Sequence, residues 1–104
     1  MSSVLVDAIG VPAMLEQTAE ECSELAFACL KLARFIRGEN KVHGYSEQKL
    51  YEQLTEEIAD ITVCLTELIK SETISFEEID VISTLKIKRM ERRLEDEKAK
   101  EGNT

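Results

Sequence analysis

Hydrophobic and polar positions along the chain fall into three long helical patterns. From Pro12, well placed as the first residue of a helix, to Arg37, a stripe of Met14, Thr18, Cys22, Leu25, Cys29, Leu32 and Ile36 recurs at helical spacing. Gly38 follows in the position where a left-handed cap favours glycine. The segment GENKVHGYS, residues 38–46, is polar, holds two glycines and reads as a loop. Ser46 can cap a second helix to about Lys70, with Leu50, Leu54, Ile58, Ile61, Leu65 and Leu68 as its stripe. The run Ser75-Phe76-Glu77-Glu78 fits a capping box, in which the serine accepts from the third helical N–H and Glu78 reaches back. It opens a third long helix to about Glu97, whose buried face begins with Ile79, Ile82 and Leu85. Residues 1–9 leave room for a minor helix, and residues 98–104 read as a charged, fraying tail. The expected fold is all-α: an antiparallel helical bundle of three main helices plus a short N-terminal one. It forms a single domain over 1–104 with its core at about 12–97.

Composition narrows this picture. At 104 residues the core is modest, so association into a homodimer or homotetramer is expected to complete a four-helix-type bundle. A formal net charge of −8 argues against binding nucleic acid or a membrane surface, because phosphate would be repelled by most of the molecule. No uncharged run approaches the length of a membrane span, and MSSVLVDAIG lacks a basic region and a long apolar one. A soluble, cytoplasmic protein is expected. Cys22, Cys29 and Cys64 are odd in number and lack C-x-x-C pairing, so they read as reduced packing residues. His43, the one histidine, reads as a solvated loop residue.

Acidic residues change the picture more. With Glu21 at zero and about 100° per residue, the first apolar stripe spans roughly 20° to 100°, and Glu24 lies about 60° to the other side. Glu20 is about 100° away and more solvent-facing. In the second helix, with Glu57 at zero, the stripe again covers roughly 20° to 100° and Asp60 again falls about 60° away. E-x-x-E and E-x-x-D therefore occupy matched positions on two helices. When the stripes pack together, four carboxylates converge at a core edge, where desolvation and mutual repulsion oppose ionisation. A divalent cation would compensate, and an all-carboxylate set favours hard ions such as Mg²⁺ or Mn²⁺. In the third long helix, Lys86, Arg89 and Arg93 continue the line of Ile82 within about 40°, where they could meet phosphate oxygens. Lys31, about 80° from Glu21 on the Glu24 side, could add a further positive charge.

On these residues the chain resembles the MazG-like all-α nucleoside triphosphate pyrophosphohydrolase superfamily. The resemblance rests on Glu21-x-x-Glu24, Glu57-x-x-Asp60 and the later K-x-x-R-x-x-x-R of Lys86, Arg89 and Arg93, and it covers about residues 14–94. It implies that Glu21, Glu24, Glu57 and Asp60 are Mg²⁺ ligands, with Mn²⁺ as a substitute. It further implies Mg²⁺-dependent cleavage of a nucleoside triphosphate between the α and β phosphates, giving the monophosphate and pyrophosphate, in nucleotide-pool control. By the same analogy Glu20 and Glu56 would orient water, and Lys86, Arg89 and Arg93, with Lys31, would contact phosphate. The connection between Glu24 and Glu57 is longer than the compact family pattern, and Met90 stands where some relatives have a nucleotide-contacting Asn.

Two alternatives accompany this reading. The phosphoribosyl-ATP pyrophosphohydrolases share the helical scaffold and the reaction. A non-catalytic helical interaction module would leave the acids solvated and use the basic line to dock a partner. A di-iron carboxylate centre is disfavoured, because neither acidic helix carries a histidine.

Overall fold

A computed structural model describes residues 2–39 and 46–102. Four helices follow in chain order: α1 (Val4–Ile9), α2 (Val11–Ile36), α3 (Glu47–Lys70) and α4 (Phe76–Gly102). Among the described residues there is no strand, and no helix is long and apolar enough to cross a membrane. The chain divides into two compact units, Met1–Thr73 with α1 to α3 and Ile74–Thr104 with α4. His43 and most of the loop expected at 38–46 lie outside the described residues.

Local chemistry sets the helix ends. Ser3, fully buried, caps α1 by accepting from the Val6 N–H at 3.1 Å, and its hydroxyl donates to Glu67 near the end of α3. Gly10, at φ 87°, turns the chain from α1 into α2, and Pro12 sits in the first turn of α2, where a missing N–H costs nothing. Both long helices of the first unit end in Schellman motifs. At α2, Gly38 (φ 75°) donates to Phe35 O and Glu39 to Arg34 O; at α3, Glu72 donates to Ile69 O and Thr73 to Leu68 O. Ser46 caps α3 as expected, accepting from Lys49 N at 3.2 Å.

Helices α2 and α3 pack along each other, and α1 touches both. Thr18 lies beside Cys64 while Glu21 lies beside Asp60, so the two helices run in opposite directions. Among the described residues, the buried apolar ones are Met14, Ala28 and Leu32 of α2, Leu50, Cys64 and Leu68 of α3, and Val6 of α1. This corrects the expected stripes. Cys22, Cys29 and Ile36 are exposed, as are Ile58 and Leu65, while Glu21 and Glu57 are half-buried. Both helices are rotated by about 40° from the orientation that would bury the most apolar arc, and in the same sense. A single partner helix covers only a narrow seam, so each helix keeps a second apolar line outside it. The cysteines are all free, but only Cys64 packs in the core.

In the second unit, α4 buries none of its residues, and Ile79, Ile82 and Leu85 are exposed, contrary to the expected buried face. The unit holds one helix and no second element, so it has nothing of its own against which to bury a stripe. Ser75 accepts from Glu78 N at 3.3 Å, but the carboxylate engaged at the cap is that of Glu77, which accepts a hydrogen bond from the serine hydroxyl at 3.1 Å. The helix also continues through Gly102, so residues 98–102 are not a fraying tail. Ala99 and the Glu/Lys run are good helix formers, and Asp96 and Lys100 stand at the favourable i,i+4 spacing.

Glu72 holds φ 61° at the end of α3, where a residue with a Cβ is strained by roughly 1–2 kcal/mol. Glu72→Gly is expected to stabilise the chain by a net ~0.5–1 kcal/mol, after glycine's extra unfolded-state freedom is subtracted. In urea unfolding the midpoint should rise with the slope unchanged. A lower midpoint would show that the Glu72 side chain contributes more than its backbone conformation costs.

Candidate metal centre

Glu21 and Glu24 project from one turn of α2, and Glu57 and Asp60 from one turn of α3. One carboxylate oxygen from each of the four lies within 4.8 Å of the others. Their positions follow from the helix repeat. Met14, Glu21, Ala28 and Phe35 recur every seven residues on α2, as do Leu50, Glu57 and Cys64 on α3, so both glutamates stand in the line that faces the partner helix. Three residues on, Glu24 and Asp60 lean about 60° to one side of that line, nearer solvent, and both are exposed.

The two inner carboxylates are constrained. Oε2 of Glu21 and Oε2 of Glu57 are shielded from solvent and have no hydrogen-bond partner. The other oxygen of Glu21 accepts from Gln17 Nε2 at 2.9 Å. Burial first, then the charges of Glu24 and Asp60, hold the Glu21 carboxyl above the usual carboxylate range, with the Gln17 bond opposing in part. Next to it, burial pushes the Cys64 thiol up, and the Glu21 and Asp60 charges add to the effect.

These features fit a hard divalent cation. Shielded carboxylate oxygens without partners are costly unless a positive group compensates. The donors are all oxygen, which suits Mg²⁺, Mn²⁺ or Ca²⁺ rather than zinc or copper. Oxygens bound to one such ion lie at most ~4–5 Å apart, which matches the spread of the four.

The remaining sequence candidates are placed as follows. Glu20 and Glu56 are exposed and outside the cluster of oxygens. Lys31 is half-buried, with Nζ 5.4 Å from the centre of the Phe27 ring. Lys86, Arg89 and Arg93 lie on α4, in the second unit, and all three are exposed. The cluster as described is built by the first unit alone. Sequence reasoning found the four acids but put Glu21 and Glu57 at the edge of the apolar stripe instead of within the packing line. The seven-residue spacing with Met14, Ala28, Leu50 and Cys64 was the signal for their true place. Compared with protein-family models, curated proteins and solved structures, the chain matches none.

The raised Glu21 pKa fixes a sign. The folded chain holds that proton more tightly than the unfolded chain, so this contribution to metal-free stability is fully present below the ordinary carboxylate pKa. It is lost as pH rises through the window up to Glu21's own value. The groups facing it are Glu24 on its own helix and Glu57, Asp60 and Cys64 on α3. In EDTA, the melting temperature of the native chain is expected to fall across that window, and Glu21→Gln should flatten the fall and melt higher at neutral pH. Millimolar Mg²⁺ should reverse the order, because only the native chain keeps all four ligands. Identical pH profiles for the two proteins would contradict this account of Glu21.

Proposed function

We propose that the chain is a Mg²⁺-dependent nucleoside triphosphate pyrophosphohydrolase of the MazG-like type, cleaving between the α and β phosphates to release the monophosphate and pyrophosphate. The observation that carries this reading is the convergence of two matched i,i+3 carboxylate pairs with two shielded, unpartnered oxygens among them. Glu21, Glu24, Glu57 and Asp60 would hold the cation, and Mn²⁺ could replace Mg²⁺. When bound, the cation supplies Lewis-acid polarisation of a phosphoryl oxygen and lowers the pKa of water.

The chain's own residues have distinct tasks in this scheme. Glu21 and Glu57 fix the inner oxygens through helix packing, so little reorganisation is needed on binding. Glu24 and Asp60, on the exposed side, leave that side open to a substrate. Glu20 and Glu56, each next in sequence to an inner ligand, are the candidates to accept a hydrogen bond from the attacking water. Lys86, Arg89 and Arg93, spaced along one face of α4, suit the charge of a triphosphate, and Lys31 on the Glu24 side of α2 could add to it. Phosphoryl transfer relies on positioning and charge neutralisation, so the lack of a nucleophilic triad is no obstacle.

The test is incubation of the full chain with Mg²⁺ and single NTPs, dNTPs or phosphoribosyl-ATP, with products separated by chromatography. Monophosphate with pyrophosphate is expected; diphosphate with phosphate would reject the bond assignment. Preference for phosphoribosyl-ATP would move the reading to that related activity. Glu57→Gln should lower turnover by at least ~100-fold while helical circular dichroism is retained. Arg89→Ala should act chiefly through KM. No turnover, and no rise in melting temperature with Mg²⁺ or nucleotide, would favour an interaction module, for which the exposed basic line of Lys86, Arg89 and Arg93 would dock the partner.

A further inference from the structure

We propose that Gln17 and Gln53 are positioning residues of the metal centre: each holds one oxygen of the inner glutamate that follows it by one helical turn, and so aims the other oxygen at the ion. The inference rests on the metal-binding part of the reading above and leaves the hydrolytic reaction aside.

At Gln17 the contact is formed, with Nε2 donating to Oε1 of Glu21 at 2.9 Å. A glutamate carboxylate turns readily about its last side-chain bond, and a hydrogen bond to one oxygen restricts that turn. Oε2 of Glu21 is then left shielded and without a partner, ready to be a ligand.

Gln53 stands in the same place before Glu57. Residues 17–24 read QTAEECSE and residues 53–60 read QLTEEIAD, so Q-x-x-E-E-x-x-acid occurs on both helices. Four residues back at about 100° each puts either glutamine about 40° from the packing line, on the carboxylate side, and about 6 Å along the helix axis. Gln53 is half-buried there, and Oε2 of Glu57 is shielded and unpartnered like that of Glu21. An ion that takes this oxygen leaves the other one for the Gln53 amide. Because α2 and α3 run in opposite directions, the two glutamines lie at opposite ends of the cluster, and the four acids are bracketed by one amide at each end.

The amide suits this task better than the other side chains that could stand there. A lysine or arginine would neutralise the carboxylates and compete with the cation, and an apolar residue would leave the second oxygen of the ligand without a donor. Glutamine donates without adding charge, so the ion meets the cluster with its negative charge intact. Hydrogen bonds to ligating carboxylates fix ligand orientation, and their loss costs about 10–100-fold in metal affinity.

The third glutamine supplies an internal control. Gln48 donates to Glu52 at 3.2 Å across the same i,i+4 spacing, and Glu52 is outside the cluster. Mn²⁺ binding to the full chain is measured by loss of the paramagnetic resonance signal of the free ion. Methionine keeps the length and helix-forming tendency of glutamine but has no donor. Gln17→Met and Gln53→Met are each expected to weaken Mn²⁺ binding by ~10-fold or more. Gln48→Met loses a helix contact of the same kind and should bind Mn²⁺ as the native chain does, which separates positioning from helix stability. Unchanged affinity in Gln17→Met or in Gln53→Met, or an equal loss in Gln48→Met, would overturn the proposal while leaving the metal centre standing. A native chain that binds no Mn²⁺ would overturn the metal centre as well.

Discussion

Everything in the first unit depends on two glutamates standing where a helix pair would ordinarily place leucine or alanine. Glu21 and Glu57 occupy the packing line between α2 and α3, flanked by Met14, Ala28, Leu50 and Cys64. An apolar seam with two carboxylates in its middle is destabilised by desolvation and by repulsion between them. The ion pairs Arg37 with Glu39 and Lys70 with Glu67 both lie away from the cluster. The four oxygens are held close together at a cost in stability. That pattern is characteristic of binding sites, where local rules are broken for function.

The remaining architecture compensates from the ends. Ser3 ties α1 to α3 through Glu67, and Val6 adds its side chain to the core. Schellman motifs close α2 and α3, so the carbonyls at both C-termini are satisfied without tertiary help. The Schellman motifs are local in sequence, the Ser3–Glu67 bond joins the two ends of the unit, and none of these contacts involves the four clustered carboxylates. The pair can therefore hold its register while its centre is strained.

Much of this was legible before any coordinates. The three long helices, the Ser46 cap, the left-handed Gly38 and the four converging acids follow from spacing and capping chemistry, because those are local properties. Orientation is not legible from the width of the apolar arcs, only from the seven-residue spacing of Met14, Ala28, Leu50 and Cys64. Cys22, Cys29, Ile58 and Leu65 belong to apolar arcs as wide as those that are buried, and a wheel read for one stripe merges two adjacent ones. Choosing the most apolar direction then pushes Glu21 and Glu57 to an edge they do not occupy. The continuation of α4 through 98–102 is not legible from charge, because a run of Glu, Lys and Ala suits a solvated tail and a helix alike. The exposure of Ile79, Ile82 and Leu85 was missed for a different reason: apolar periodicity states that a face can be buried, not that a partner is present within the unit.

One feature of the pair reaches beyond its own packing. Glu21 and Glu57, Glu24 and Asp60, Met14 and Leu50, Ala28 and Cys64, Leu32 and Leu68, Ile58 and Cys22 all correspond at one constant separation along the chain. In antiparallel helices such a correspondence is an approximate internal dyad, and it passes through the middle of the carboxylate cluster. The two helices offer similar ligand pairs, Glu and Glu from α2 and Glu and Asp from α3, so the cluster itself is nearly symmetric. Any ligand with a head and a tail would have its direction set by what breaks this symmetry, beginning with Asp60 where the dyad-related residue is Glu24.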